Sequence, residues 1–177
     1  LRALASVSTV NLDRTRDIQA APSDTRYAAQ WSLPKIGWDT ARETVTPGGS
    51  AVVAVLDTGV DGTHPDLDGN LVPGTSIIGT GDGSVDTNGH GTAMAGIVAA
   101  ETDNGIGVAG VSYAGVKVMP VTVLDAFGQG QDSDIINGVV WAADHGADVI
   151  LMSFSAPQYS AALQAAVDYA WDRGAVL

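Results

Sequence analysis

The most constraining feature of the sequence is the apolar run Ala-Val-Val-Ala-Val-Leu at residues 51–56, which stops at Asp57 and the turn pair Thr58-Gly59. The run has no polar alternation, which is typical of a strand covered on both faces in a parallel sheet. The turn leaves a carboxylate at the carboxyl end of the strand, where open α/β sheets bind ligands. Because aspartate is also a common turn residue, the position alone does not identify a site.

The composition excludes several classes of function. The 177 residues include 20 acidic and 8 basic residues, with a formal net charge of -12, so the clustered Lys and Arg that bind nucleic acid are missing. No apolar run approaches the roughly 18 residues of a membrane span, and we expect no membrane partner. The absence of cysteine excludes disulfides, thiolate metal sites and a cysteine nucleophile.

Turn residues divide the chain into two parts. Residues 1–21 show no helical or strand period and no apolar signal-peptide core, so we interpret them as a linker or a pro-segment remnant. Because the chain begins at Leu1, we expect that an upstream segment has been removed. Residues 22–177 are long enough for one domain with its own core.

Strands and helices alternate after the first strand, which predicts a parallel sheet with right-handed crossovers. Pro120 predicts an edge or irregular strand, because proline cannot donate to the ladder. Asp132 or Ser133 is predicted to cap a helix that Gly146 ends. The predicted elements are helix 93–101, strand 117–124, helix 132–145, strand 148–153, a helix from about 160 to 173 and a strand from 175.

A long loop joins Asp57 to a second candidate residue. Residues 61–90 are rich in Gly, Asp, Asn and Thr, and loops of this length are usually functional or disordered. The loop places His90 at or near a helix N-terminus, and the small residues at 93–100 indicate a closely packed helix. Asp57 and His90 suit the orienting acid and the base of a Ser-His-Asp triad, in which the carboxylate fixes the imidazole tautomer.

The residues around Asp57 and His90 resemble the two motifs of the subtilisin-like serine peptidases, or subtilases. VAVLDTGVDGTHPDL is similar to their Asp motif and NGHGTAMAGIVAA to their His motif. The likeness covers residues 22–177 and is greatest to the thermitase-like branch. Further matches are QWSLPKI, GIGVAGV, INGVVWAADHGADVILMS and LQAAVDYAWDRGAV.

The resemblance implies an α/β fold of three layers with a mostly parallel sheet, incomplete at its carboxyl end. It implies a secreted, extracellular serine endopeptidase with no organic cofactor, in which Asp57 orients His90 and His90 is the general base. Polypeptide substrates would pair with Gly128-Gln129-Gly130 and Ser153-Phe154-Ser155 by strand addition. The second segment departs from the usual Ser-Leu-Gly, so Phe154 and Ser155 add bulk beside the primary specificity pocket.

The thermitase-like resemblance also implies a structural calcium site. All-oxygen coordination drawn from distant segments is chemically suited to Ca²⁺. The alternative is that these residues are ordinary polar loop positions, and no EF-hand pattern accounts for the acidic stretch. The side-chain ligands would be Asp24, Asp66 and Asn104, and the carbonyl ligands Glu101, Ile106 and Val108.

The nucleophile of the family does not occur in these 177 residues. Neither its Gly-Thr-Ser-Met-Ala-x-Pro motif nor its oxyanion-hole Asn is present, and Gly91-Thr92-Ala93-Met94-Ala95 belongs to the His motif. We therefore expect no peptide hydrolysis by this chain alone.

Three interpretations follow. The first is the N-terminal part of a truncated or nicked peptidase domain, whose partners would be its missing C-terminal segment and an N-terminal pro-segment. The second is a non-catalytic, calcium-stabilised peptide-binding module. The third is a haloacid dehalogenase-type phosphotransferase, which Gly59 disfavours because that motif has a second Asp there.

Overall fold

The structure is a computed structural model that describes residues 21–177. The proposed linker at residues 1–21 lies outside the described residues except for Ala21, so its assignment stays a prediction. The elements in chain order are α1 (Ser32–Lys35), α2 (Trp38–Thr44), β1 (Ala51–Asp57), β2 (Thr75–Ser76), α3 (His90–Ala99), β3 (Val116–Thr122), α4 (Asp132–Asp144), β4 (Val149–Met152) and α5 (Ala161–Asp172).

The strands form one parallel sheet in the order β2-β3-β1-β4. The strand β1 is internal, with Asp57 opposite Thr122 of β3 and Leu56 opposite Met152 of β4. A parallel bridge from Val149 to Val176 continues the sheet beyond β4. The prediction of a central first strand in a parallel sheet is therefore confirmed.

Helices cover both faces of the sheet, which explains the apolar run in β1. Successive side chains of a strand point to opposite faces. Ala54 and Leu56 pack in a core with residues of α4 and α5, whereas Val53 and Val55 pack with α3 on the other face. The chain thus has the three layers that the resemblance implies, and no face of β1 needs polar residues.

Helix α4 lies very close to the sheet because of one glycine. A Cβ atom on Gly138 would come within 2.6 Å of Val123 Cγ1 and 3.3 Å of Leu56 Cδ2. The helix backbone itself therefore contacts the β1 and β3 side chains.

The prediction that Pro120 marks an edge or irregular strand is wrong, because β3 lies between β2 and β1. Val118 donates to Asn70 and accepts from Val72, so the backbone of Pro120, two residues on, faces the same side. On that side Gly74 approaches so closely that a Cβ atom would lie 1.8 Å from the Pro120 carbonyl oxygen. The hydrogen bonds between β3 and β1 use the backbone groups of the alternate β3 residues. The missing N–H of Pro120 therefore costs the sheet no hydrogen bond.

The predicted cap of α4 by Asp132 or Ser133 is also wrong. Gln131 is the N-cap residue, in extended conformation and without a side-chain cap, and Asp132 is the first helical residue. The acidic groups of the first turn, Asp132 and Asp134, still interact favourably with the helix dipole. Helix α5 begins as predicted, since Ser160 Oγ accepts from the Leu163 N–H at 3.3 Å.

The segment before β1 packs on the loop that follows α3. Leu33 and Trp38 form a small core with Ala109, and Trp38 Nε1 donates to the Val111 carbonyl at 2.8 Å. Within residues 21–177 no helix combines the length and the hydropathy that a membrane span requires.

Candidate active site

Asp57 lies at the carboxyl end of β1 with its side chain fully buried. The Thr58 N–H donates to Asp57 Oδ1 at 2.7 Å, and the N–H groups of Val123 and Leu124 donate to the Asp57 carbonyl. The backbone on both sides of the carboxylate is therefore held, and its oxygens keep one orientation.

His90 is the first residue of α3 and faces Asp57, as predicted from the two motifs. Its Nδ1 atom lies 2.8 Å from Asp57 Oδ1 and 2.9 Å from Oδ2. The Asp57 side chain has no exposed surface, whereas 43% of the His90 side chain is exposed. A carboxylate only accepts, so Nδ1 carries the proton and Nε2 is left as an acceptor on the exposed side of the ring.

Gly91 allows helix α3 to approach β1. A Cβ atom at this position would lie 2.1 Å from the Gly59 carbonyl oxygen and 3.0 Å from Asp57 Cβ. Any larger residue would push the start of the helix away from the carboxylate. Ala95 and Ala99 are buried against the β1 side chains Val53 and Val55, which confirms the close packing predicted from the small residues at 93–100.

The first N–H groups of α3 find side-chain acceptors, which fixes the position of the helix. Such groups have no partner within a helix and need a cap. The His90 N–H donates to Asn88 Oδ1 at 3.2 Å, the Gly91 N–H to Thr58 Oγ1 at 3.1 Å, and the Thr92 N–H to Asp86 Oδ2 at 2.9 Å.

Sequence reasoning missed Asp86 and Thr58. A signal for Asp86 was present, because an acidic residue just before a helix commonly caps its first turn. Thr58 was assigned only a turn role, and nothing in its sequence context indicates that its hydroxyl reaches α3.

The two predicted substrate segments follow the two strands that are the neighbours of β1. Residues 128–130 follow β3 and residues 153–155 follow β4, and these two strands are the neighbours of β1 in the sheet. Because β1 ends at Asp57 and the chain turns away, its two neighbours are extended by segments with no strand between them.

The segment at 128–130 is shaped by Asp125, another residue that sequence reasoning missed. Asp125 Oδ1 accepts from the N–H groups of Phe127 at 2.8 Å and Gln129 at 3.0 Å, so Gln129 is engaged within the turn. Gly130 is exposed, and a Cβ atom there would lie 2.6 Å from the Val123 carbonyl oxygen. The side chain of Asn88 donates to the Ala126 carbonyl at 2.9 Å, which joins this turn to the loop before His90.

The residues of the predicted calcium site come from three distant segments. Asp24 and Asp66 are buried, at 4% and 3% exposure. The Asp103 N–H donates to Asp24 Oδ2, and the Asn104 amide donates to Asp66 Oδ1 at 2.8 Å. The loop that carries Glu101, Asn104, Ile106 and Val108 thus lies against both carboxylates.

Two observations test whether these residues fit a cation. Asp24 Oδ1 is a buried oxygen without a hydrogen-bond partner, which suits a metal ligand. A Cβ atom on Gly107 would lie 1.8 Å from Asp66 Oδ2, so only glycine allows the loop to wrap the carboxylate. Asn104 fits the predicted ligand role less well, because its Oδ1 atom, the predicted ligand, already accepts from the Ile106 N–H at 2.9 Å. Within the described residues no group of three or more His, Cys, Asp or Glu side chains could hold a metal, so carbonyl oxygens would complete the site.

Comparisons with known proteins agree with the fold and the motifs. Residues 48–177 match the model of the subtilase family, Peptidase_S8. The chain is 41% identical over 157 residues to the thermophilic serine proteinase of Bacillus sp. (strain AK1), with 88% of this chain and 39% of that protein covered. It is 39% identical over 155 residues to thermitase of Thermoactinomyces vulgaris, covering 88% of this chain and 53% of thermitase.

A solved structure gives the same result. The crystal structure of a cold-adapted subtilisin-like serine proteinase matches with a TM-score of 0.63 and 33% identity, over 72% of this chain and 44% of the other. The chain therefore spans about half or less of these relatives. The family match covers most of the 177 residues, and the chain belongs to the subtilase family.

Proposed function

We propose that this chain supplies the acid and the base of a serine endopeptidase whose nucleophilic serine lies on sequence outside these 177 residues. The observation that carries the proposal is the contact of His90 Nδ1 with both oxygens of the buried Asp57, at 2.8 and 2.9 Å. In a solvated pair the two groups would sample many arrangements, whereas here the buried carboxylate and the helix N-terminus fix one.

The proposed chemistry uses the two ring nitrogens for different tasks. Asp57 accepts a hydrogen bond from the Nδ1–H group, which keeps the proton on Nδ1 and leaves Nε2 unprotonated. As the serine oxygen bonds to the peptide carbonyl carbon, Nε2 takes the serine proton, and Asp57 stabilises the resulting imidazolium. Nε2 then gives that proton to the leaving amine, the C–N bond breaks, and an acyl-enzyme remains for hydrolysis.

The substrate would bind as an extended strand between residues 128–130 and 153–155. Gly130 suits pairing with a substrate backbone because it is exposed and a side chain at this position would clash with the Val123 carbonyl oxygen. The Phe154 side chain packs partly against the main core. As a phenylalanine where the family usually has leucine, it would add bulk beside the primary specificity pocket. We also propose that the protein acts outside the cell, as the family resemblance implies.

A structural calcium ion would bind between Asp24, Asp66 and the loop 101–108. The unpartnered Asp24 Oδ1 supports this proposal, together with carbonyl groups of the type that Ca²⁺ prefers. The ion would join the segment before α1 to the loop after α3. Its role would be to stabilise the fold, because these residues lie apart from Asp57 and His90.

A second candidate is a peptide-binding module without catalysis. It is favoured by one observation, the absence of the family's serine motif from a sequence that retains both substrate segments. Such a module would bind peptides by strand addition and leave them intact.

A serine-directed fluorophosphonate separates the two candidates. The native preparation is treated with the reagent and analysed by intact mass under denaturing conditions. We expect a labelled second chain, or a labelled longer chain, and we expect His90→Ala to abolish labelling because no base remains. His145→Ala, which replaces another helix-terminal histidine, is the matched control and keeps the label. A single unlabelled mass together with peptide affinity would establish the binding module instead.

A further inference from the structure

Asp86, a half-buried residue in the loop before α3, has more hydrogen bonds than is usual for a loop carboxylate. Its carboxylate accepts five of them. Oδ1 accepts from Thr58 Oγ1 at 2.9 Å and from the N–H groups of Asn88 and Gly89 at 3.1 and 2.8 Å. Oδ2 accepts from the N–H and the hydroxyl of Thr92, at 2.9 and 2.6 Å.

These bonds connect the two elements that carry the acid and the base. Thr58 follows Asp57, and its hydroxyl both donates to Asp86 and accepts from the Gly91 N–H. Thr92 lies in the first turn of α3, two residues after His90. Asp86 is therefore the common partner of the turn after β1 and of the helix that carries the imidazole, although it contacts neither reacting side chain.

The charge of Asp86 is suited to this arrangement. Partial burial alone would raise the pKa of this carboxyl, but hydrogen bonds from Thr92, Gly89 and Thr58 outweigh it and hold the pKa below its usual value. The carboxylate also lies at the positive end of the α3 dipole. It accepts on both oxygens, which a carboxamide cannot do because one of its two positions is an NH₂ donor.

We infer that Asp86 is a positioning residue that sets the register of α3 against β1 and so holds His90 Nδ1 within reach of both Asp57 oxygens. Its importance for catalysis rests on the proposed function, but the geometric claim does not. In Asp86→Asn, an NH₂ group replaces one of the two carboxylate oxygens. Either Thr92 or the three donors to Oδ1, from Thr58, Asn88 and Gly89, then lose their acceptor. The start of α3 then moves relative to Thr58, and the Nδ1 hydrogen bond is lost from most molecules.

The test follows the Nδ1 proton of His90 by NMR in the native preparation, with any serine-bearing segment retained. A proton shared with a buried carboxylate gives a downfield resonance, which Asp57→Ala identifies by removing it. We expect Asp86→Asn to abolish or strongly broaden this resonance while the amide spectrum stays dispersed. Asp82→Asn is the matched control, because Asp82 lies in the same loop and bonds only locally, to Ser84. It leaves the resonance unchanged.

A second variant tests the inference if Asp86→Asn does not fold. Thr58→Val keeps the shape of residue 58 but removes the hydroxyl that joins Asp86 to Gly91, and it weakens the same resonance. An unchanged resonance in a folded Asp86→Asn chain overturns the inference, as does a wild-type chain without the resonance. Since the measurement needs no serine and no turnover, it stays informative if fluorophosphonate labelling fails.

Discussion

At the scale of single residues, the burial of Asp57 and the partial exposure of His90 have different consequences. The carboxylate is removed from water and can act only through its neighbours, whereas the imidazole is partly exposed to solvent. The two residues are therefore not interchangeable targets for mutation. Under the proposed function, replacing His90 removes the base, and replacing Asp57 changes which nitrogen of that base carries the proton.

Replacing the acid is expected to impair a serine-bearing form of the enzyme severely. In Asp57→Asn the carboxamide can donate to Nδ1 and so stabilises the wrong tautomer. By analogy with other triad enzymes, kcat falls by about 10⁴-fold. Hydrolysis of a chromogenic peptide measures the effect, with Asp82→Asn as the control of equal charge change. A loss of less than tenfold would contradict the assigned role of Asp57.

Tyr27 makes the free energy of unfolding depend on pH in the alkaline range. Burial and a hydrogen bond from its hydroxyl to Asp39 raise the pKa of Tyr27 to about 12. The folded state thus holds the phenolic proton more tightly than the unfolded chain, in which the pKa is about 10. This stabilisation is complete below pH about 10 and is lost as the pH rises toward 12.

We expect Tyr27→Phe to flatten the decline of the unfolding free energy between pH 10 and 12. Urea unfolding at several pH values measures the decline. Tyr159→Phe is the control, because the Tyr159 side chain is largely exposed. Parallel curves for the wild type and Tyr27→Phe would show that the phenol does not contribute in this way.

At the scale of elements, helices and loops are placed by contacts of the backbone itself. Gly91 allows α3 to approach β1, Gly138 allows α4 to lie on the sheet, and Gly107 allows the loop after α3 to wrap Asp66. In each place a single methyl group would occupy space that another atom already fills.

The packing of α4 predicts a cost for a substitution that would otherwise favour a helix. Alanine stabilises a helix interior by up to about 1 kcal/mol relative to glycine. In Gly138→Ala the new methyl group would lie 2.6 Å from Val123 Cγ1, and overpacking of this kind costs about 1–3 kcal/mol. We expect a net loss of unfolding free energy, measured by chemical denaturation. Asn137→Ala, at the exposed neighbouring position, is the control, and a Gly138→Ala chain as stable as the wild type would refute the prediction.

The proposed calcium site predicts that metal removal lowers the melting temperature. A ligand at about 100 times its Kd adds about 2.7 kcal/mol to the free energy of unfolding. We expect a chelator to remove this stabilisation from the wild type and to have little effect on Asp24→Asn or Asp66→Asn. Asp68→Asn changes an exposed carboxylate beside Asp66 and keeps the response. Equal chelator effects in all four chains would argue against this site.

At the scale of the whole molecule, helices cover both faces of the sheet, and within residues 21–177 its edge beyond β4 is little paired. Beyond β4 the described residues add one bridge, at Val176, whose side chain is 53% exposed, and Trp171 nearby in sequence is 65% exposed. An open edge beside apolar side chains is a template for pairing with another chain.

We therefore expect the isolated 177-residue chain to self-associate through this edge. Sedimentation velocity over a range of concentrations measures this. Val176→Lys adds a charge at the edge and reduces association, whereas Val85→Lys, in a loop on the other side of β1, does not. A monomer with a sharp two-state melt would be evidence against the prediction.

The sequence predicts the sheet and the contact between Asp57 and His90 well because their signals are local. The apolar run of β1 and the motif around His90 each lie within a few adjacent residues. The Pro120 and Asp132 predictions failed because each depends on a neighbour that the sequence does not reveal: the side on which Gly74 approaches β3, and the conformation of Gln131. Asp86 carried a local signal as an acidic residue before a helix, but its bond to the Thr58 hydroxyl, 28 residues away, depends on the fold.

The acid, the base and the network around Asp86 all come from residues 57–92, one short stretch of the chain. Under the proposed function, the acid–base pair is thus assembled before any nucleophile is present. Turnover would then report how much of this chain is joined to a serine-bearing partner, with no further rearrangement of Asp57 and His90. A protein of this kind could serve as one half of a split reporter, in which the signal measures association between two polypeptides.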